Sequence, residues 1–364
     1  MIIEKDFQID KYVSTYPVME RHEGIRLDQF IGEFFPSFSR QFIKKNIAEG
    51  AVVISSPQHQ RPHPHRASTK IHLGERITMT IHKSDHNDNY FRGQKIELQD
   101  TEIVYEDDDI IVISKPPFMA AHPTGRHLFF CATVVLEHML GHKVYSCHRL
   151  DRETSGVLVL GKNPKAASLL SQAFEENLNK KCYFFIANKE LDNDFPFTAT
   201  EKLGRNETGP IDSLERLMMI TYPQNSRHGK WAETKYQLLW EDDGYVLGLA
   251  FPKTGRQHQI RVHAAYHGIP LLGDKVYHGG MDMFCRLKDD IAYEDEYDLI
   301  QIPRHALHAL ALNVPYKGYR KTFQSKIPDD LKDWIAINLE LDFDSIERKI
   351  TKFLRSEFES LSLT

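Results

Sequence analysis

The sequence predicts an α+β protein, a mixed and mainly antiparallel sheet domain with a small α/β domain at the N-terminus. Strand-like segments such as Ile110-Ile-Val-Ile and Gly156-Val-Leu-Val-Leu are interrupted by isolated helical stretches and do not alternate with them regularly. Thr234-Lys-Tyr-Gln-Leu-Leu-Trp240 and Tyr245-Val-Leu-Gly-Leu-Ala-Phe251 meet through Asp242-Asp-Gly, which is hairpin chemistry. The 364 residues also exceed what one core of about 100–200 residues needs, so more than one domain is expected.

Taken in order, residues 1–20 read as an N-terminal arm and residues 21–82 as a compact domain. Leu27, Phe30 and Ile31 recur at helical spacing, as do Phe42, Ile43 and Ile47, so two helices each carry one apolar stripe. Ser39 is placed to cap the second helix and Gly50 to end it in a left-handed turn. Strands follow at Gly50-Ala-Val-Val-Ile and Ile77-Thr-Met-Thr-Ile. Between them lies Pro57-Gln-His-Gln-Arg-Pro-His-Pro-His-Arg66, read as a solvated loop because His63 and His65 find no further ligands at metal spacing. Residues 83–100 read as a polar linker. The sheet domain occupies 101–340, with a helix opened by Asn163-Pro164 that runs through Ala173. Residues 341–364 form a helical tail, with Ile346, Ile350, Phe353 and Leu354 on one face.

Charge and cysteine content narrow the class. With 46 Lys+Arg against 51 Asp+Glu the net charge is −5, which excludes a uniformly basic nucleic-acid binder and leaves room for a local basic surface. Residues 21–82 supply one, with nine bases against five acids, while 282–298 holds seven acids against two bases. Four scattered cysteines make neither a CxxC pair nor a disulfide framework, which suits a reducing compartment. The opening Met1-Ile-Ile-Glu-Lys-Asp-Phe7 places acids where a signal peptide has an apolar run, and no stretch is long and apolar enough to span a bilayer. A cytoplasmic protein with no membrane partner, acting as a monomer, is expected.

In the N-terminal domain the order Arg26-Leu-Asp, Ser39-Arg40, a basic helix with Lys44 and Lys45, Gly50-x-Val and Gly74-Glu-x-Ile resembles the small S-four-like RNA-binding domain. On charge alone Arg40, Lys44 and Lys45 would be a solvated helix face. The resemblance makes them RNA contacts.

Chemistry concentrates in His148-Arg-Leu-Asp-Arg-Glu-Thr-Ser-Gly-Val-Leu-Val-Leu-Gly-Lys162. One Asp between two Arg residues, ahead of Thr-Ser-Gly and an apolar strand, sits on a loop at the mouth of a sheet. A lone Asp there would ordinarily cap a turn, with surface pairs to Arg149 and Arg152 worth little. The whole string, however, closely resembles the RluA-type pseudouridine synthase signature His-Arg-Leu-Asp-x-x-Thr-Ser-Gly-x-Leu. Further matches follow in the family's order: Val104-Tyr-Glu-Asp-Asp-Asp-Ile-Ile-Val-Ile-Ser-Lys-Pro-Pro117, Lys181-Cys-Tyr183, Gly229-Lys-Trp-Ala-Glu-Thr-Lys-Tyr236, Thr254-Gly-Arg-Gln-His-Gln-Ile-Arg-Val-His263, Gly273-Asp-Lys-Val-Tyr277 and Arg304-His-Ala-Leu-His-Ala309.

That resemblance implies conversion of uridine to pseudouridine in structured RNA. The reaction breaks a carbon–nitrogen glycosidic bond and rejoins the base through carbon. It is redox-neutral, so no cofactor is expected, and no metal site either. An ionised carboxylate suits it, as a nucleophile or as a partner for positive charge at the anomeric carbon. Asp151 matches the catalytic Asp. A buried Asp tends to become neutral unless a cation lies within about 4–6 Å, and the resemblance assigns that role to Arg261.

Tyr183 matches the active-site Tyr that stacks on the base, although Lys181-Cys-Tyr183-Phe-Phe-Ile-Ala187 departs from the common Lys-x-Tyr-x-Ala-x-Val. The base must be extruded from the RNA at a cost of a few kcal/mol, and Arg149 is expected to fill the gap or grip phosphate. Arg152 and Arg256 are further RNA contacts, Ile260 and Leu307 the apolar floor of the base pocket, and His148, His258, His263 and His308 hydrogen-bonding supports. Large-subunit ribosomal RNA is the expected substrate, with transfer RNA as an alternative. A non-catalytic RNA-binding protein on the same scaffold is the reading from a different class. A glycosidase would need a second carboxylate, and the sequence nominates none.

Overall fold

A computed structural model describes residues 4–359 except 9, 36–37, 57–64, 84–89, 125–126, 208–213 and 289–290. Two units result, one of residues 1–88 with 120–144 and one of 89–119 with 145–364.

The first unit contains β1 (Glu4–Phe7), β2 (Lys11–Pro17), α1 (Leu27–Phe34), α2 (Arg40–Ala48), β3 (Val52–Ser55), β4 (Arg76–His82) and α3 (Ala132–Leu140). Its antiparallel sheet runs β1-β2-β4-β3. The stretch read as an N-terminal arm is thus half of this sheet, because Tyr12, Ser14 and Tyr16 alternate inward at strand period. Ser39 caps α2 through its hydroxyl, which accepts from the Phe42 amide at 3.1 Å. Gly50 takes φ +82° just beyond it. Residues 120–144, read as part of the sheet domain, pack here instead because Leu128 and Phe129 enter the core formed with Leu27, Phe30, Ile43 and Ile77. His65 is not in a solvated loop: it is buried and its Nε2 accepts from the Ile54 amide at 3.3 Å. The rest of that loop, Arg61 and His63 included, lies outside the described residues.

In the second unit the segment read as a polar linker carries a small hairpin, β5 (Tyr90–Phe91) with β6 (Gln94–Lys95). The part of it around residues 84–89 lies outside the described residues. The main elements are β7 (Glu102–Glu106), β8 (Ile110–Lys115), β9 (Tyr145–Ser146), β10 (Ser155–Gly161), α4 (Pro164–Glu175), β11 (Lys180–Asn188), β12 (Phe197–Ala199), β13 (Lys202–Arg205), β14 (Met219–Tyr222), β15 (Thr234–Glu241), β16 (Tyr245–Pro252) and α5 (Gln259–Tyr266). They are followed by α6 (Gly280–Lys288), α7 (Glu294–Ile300), β17 (Leu307–Tyr316), β18 (Tyr319–Gln324), α8 (Asp329–Asn338) and α9 (Phe343–Glu359). The large sheet has the order β12-β15-β16-β11-β17-β10-β8-β7, with β18 on β17 and β9 on β10. All its ladders are antiparallel except β10 on β17. A mixed, mainly antiparallel sheet was the expectation.

The tail helix α9 closes the core on one sheet face. Ile346, Ile350, Leu354 and Phe358 join Leu331, Trp334 and Ile335 of α8 against Phe184, Ile186 and Leu249. On α6 and α7 the acidic stretch is partly neutralised, since Arg92 pairs with Glu294 and Asp298 at 2.6 Å each and Arg286 with Glu296. Asp289 and Asp290 lie outside the described residues.

What positions the site is the parallel contact of β10 with β17. Ser155 and Gly156 face His308 and Ala309, and a Cβ at Gly156, where φ is +108°, would stand 2.2 Å from the Ala309 carbonyl oxygen. Only glycine lets β10 approach β17 this closely. Ala309 in turn pairs with Tyr183, where β11 is irregular between Cys182 and Tyr183. One row across the sheet therefore carries the loop before β10 and the Tyr of β11.

Candidate active site

Asp151 lies in the loop before β10, with its side chain 21 % exposed and its carbonyl accepting from the Thr154 amide at 3.1 Å. Arg261 projects from the first turn of α5, nearly buried, and its Nη1 donates to Asp151 Oδ2 at 3.2 Å. The two residues are 110 positions apart in sequence and meet in space.

Arg261 is held from behind. Its Nε and Nη2 donate to the two oxygens of Asp274 at 2.6 and 2.8 Å, a bidentate pair with a fully buried carboxylate. The guanidinium also stacks on Tyr277, 4.9 Å from the ring centroid. Burial alone would drive Arg261 towards its neutral form, but the adjacent Asp274 charge and hydrogen bonds outweigh it and keep the cation. Asp274 is likewise opposed by burial and held ionised by Arg261, helped by the amides of Val276 and Tyr277 at 3.1 and 3.0 Å. Gly273 before it takes φ +76° and would bring a Cβ 1.9 Å from the Arg304 carbonyl oxygen, so this loop too needs glycine. Two of the three distal nitrogens of Arg261 are thus committed to Asp274 and the third is presented to Asp151.

His258 sits just before α5 in a left-handed conformation, φ +54°, so its relation to Arg261 is not that of two residues one helical turn apart. Its Nδ1 shares a hydrogen bond with the Tyr277 hydroxyl at 2.8 Å and its Nε2 comes within 3.9 Å of Asp151. Burial first, and then the charge of Arg261, push it down to about 4, so it is neutral near pH 7.

Tyr183 packs on a core cluster that includes Ile260 and Leu307, which are 6 and 4 % exposed. The two residues expected to floor the base pocket are thus buried members of the cluster against which Tyr183 packs. Burial and the neighbouring Asp151 charge raise the Tyr183 hydroxyl well above its ordinary value. It is a phenol in the resting site and not a phenolate.

A buried polar frame fixes the Asp151 loop. Lys115, fully buried, donates through Nζ to the carbonyls of Pro116, Met119 and Arg152 at 2.9, 2.9 and 3.2 Å. Glu153 takes both hydrogen bonds from Lys275 at 2.9 and 3.0 Å. Burial would raise its pKa, and the Lys275 and Arg152 charges pull it below the usual carboxylate range. Thr154 Oγ1 meets His305 Nε2 at 2.8 Å, and Ser155 Oγ meets His308 Nδ1 at 2.9 Å. Arg304, fully buried, pairs with Asp330 at 2.6 Å and reaches the Glu153 and Leu307 carbonyls. His148 accepts from the Val159 amide at 3.1 Å, and His263 contacts Thr234 at 3.0 Å and the Glu201 carbonyl at 3.1 Å.

The expected RNA contacts are distributed differently. Arg149 is exposed beside Asp151. Arg152 pairs with Glu153 at 3.5 Å and lies 5.4 Å over the Phe118 ring. Arg256 is half-buried and donates to the Trp231 carbonyl at 3.0 Å. Arg40, Lys44 and Lys45 are exposed on α2 of the first unit, Lys45 3.9 Å from Glu49. Asp274, Tyr277, Lys115 and Glu153 had no role assigned from sequence, although each stands in a string that matched the family's order.

The RNA pseudouridylate synthase family profile matches residues 109–266. The ribosomal large subunit pseudouridine synthase D of Vibrio cholerae is 31 % identical over 331 residues, covering 87 % of this chain and 92 % of that one. An uncharacterized RNA pseudouridine synthase of Aquifex aeolicus is 33 % identical, with 85 and 92 % covered. Among solved structures, human RNA pseudouridylate synthase domain containing 4 shares the fold with a TM-score of 0.52 at 24 % identity, covering 66 % of this chain and 94 % of that one. A chain that carries this site on this sheet, and matches such relatives over most of their length, belongs to the RluA-type RNA pseudouridine synthases.

Proposed function

We propose that the protein isomerises uridines of large-subunit ribosomal RNA, with Asp151 as the attacking or charge-stabilising carboxylate and without a cofactor. The observation that carries this reading is the single guanidinium nitrogen that Arg261 offers to Asp151 at 3.2 Å while Asp274 holds the other two. An anion kept in place this way is ready for the glycosidic carbon or the uracil ring. The substrate is argued from the relatives named ribosomal large subunit pseudouridine synthase D.

In this scheme the flipped uracil lies over Ile260 and Leu307 and against Tyr183, whose neutral hydroxyl donates a hydrogen bond. Arg149 occupies the gap in the RNA, with Arg152 and Arg256 near the flanking phosphates. The first unit supplies a second, S-four-like RNA contact through Arg40, Lys44 and Lys45. The reaction proceeds in the cytoplasm on a monomer.

Isomerisation releases the hydrogen on carbon 5 of uracil. RNA tritiated there should lose its label to water with the wild-type protein and retain it with Asp151→Ala. Equal release from both removes Asp151 from the mechanism; no release by the wild type from any cellular RNA removes the activity. Replacing Lys44 and Lys45 with Glu should weaken RNA binding, most strongly at low salt, and raise KM more than it lowers kcat. Unchanged affinity across a salt series would reject the role of the first unit.

A further inference from the structure

We propose that Trp231, with Lys253 beside it, forms a stacking platform for an unpaired nucleotide of the RNA next to the target uridine. This rests on the RNA-isomerase reading above and adds a contact to it. Of the three tryptophans, Trp334 is buried and Trp240 half-buried, both in the main core, whereas Trp231 is 41 % exposed. Much of this apolar ring is left open to solvent, while the backbone around it is held firmly. Lys230 exchanges both main-chain hydrogen bonds with Leu203 at 2.8 and 2.9 Å, and the Glu233 amide donates to Thr254 Oγ1 at 3.2 Å.

The next residue, Ala232, is fully buried in a cluster with Leu203, Met219 and Val262, against which Tyr277 packs. Tyr277 is the ring under the Arg261 guanidinium. Trp231 is therefore anchored one residue away from the packing that positions the catalytic pair. Its surroundings are cationic: Lys253 Nζ is 5.5 Å from the indole centroid, and Arg256 donates to the Trp231 carbonyl. The acid in this patch, Glu233, is paired with Lys253 at 3.5 Å. A partly exposed indole on held backbone, with Lys253 over one ring face and Arg256 on its main-chain carbonyl, suits a base stacked on the other face and phosphate on the cations, and any base has a face to stack.

Binding of a fluorescein-labelled oligouridine of about a dozen nucleotides tests this by anisotropy, without turnover. Trp231→Ala should weaken binding roughly tenfold, with most of the loss persisting at high salt because stacking is not screened. Trp231→Phe should recover most of the affinity. Lys253→Met should weaken binding mainly at low salt. Binding by Trp231→Ala equal to wild type, or Trp231→Phe as weak as Trp231→Ala, overturns the platform. Should the wild type release no tritium from any RNA while Trp231→Ala still loses affinity for the oligouridine, the isomerase reading fails and the platform stands.

Discussion

Asp274→Asn is expected to lower kcat roughly 100-fold while leaving the chain folded at low temperature. The carboxylate accepts from Nε and Nη2 of Arg261, and an amide turns one N–H donor towards that same guanidinium. Without the fork behind it Arg261 is free to rotate, and a misplacement of about 1 Å at a catalytic group costs around 10²-fold. Truncation to Ala should cost more in stability, about 3–5 kcal/mol, because it strips a buried cation of its bidentate partner and leaves it only the longer contact to Asp151. Asp274 is fully buried against Arg261, so KM should move less than kcat, and Asp274→Glu should recover part of the rate by re-forming the fork. Wild-type kcat in a folded Asp274→Asn protein would show that Arg261 does not need this support.

The second large effect is acid sensitivity. Burial pushes His148 and His308 down to about 3 and His258 to about 4, and it also lowers His305. These rings are neutral in the folded protein, while in the unfolded chain each titrates near 6.5. Below pH 6.5 the unfolded chain therefore binds protons that the folded one refuses, so stability falls as pH falls. For His148, His308 and His258 that loss ends near pH 3–4, where their folded rings titrate. Each ring contributes about 1.4 kcal/mol per pH unit in that window. His148 and His308 alone should remove about 4 kcal/mol between pH 7 and 5. Urea unfolding at the two pH values checks this; equal midpoints would mean that these histidines accept protons in the folded state.

Much of the fold was legible because its signals are local. The stripe of α1, the Ser39 cap of α2 and the hairpin of β15 and β16 depend on residues a few positions apart. The arm that turned out to be strand carried its own period-two pattern in Tyr12, Ser14 and Tyr16. The membership of residues 120–144 was not legible, since Leu128 and Phe129 are apolar residues with no mark of which core they enter.

In the site, Asp151, Arg261 and Tyr183 were nominated by strings matching the family, and the fold brings Asp151 to Arg261 across 110 residues. Asp274 stood in an equally matched string, but spacing does not reveal that a carboxylate 13 residues beyond an Arg turns back to fork it. Lys115 was harder still. A lysine is ordinarily exposed, and only the buried carbonyls of Pro116, Met119 and Arg152 give this one a reason to be inside.

The central claim, that Asp151 is the group through which this protein makes pseudouridine in large-subunit ribosomal RNA, is tested most directly by mapping pseudouridines in cells lacking the gene. The account predicts that one or more positions in that RNA are lost on deletion, return with the wild-type gene and stay unmodified with Asp151→Ala. Restoration by Asp151→Ala, or an unchanged pseudouridine map in the deletion strain, would contradict it.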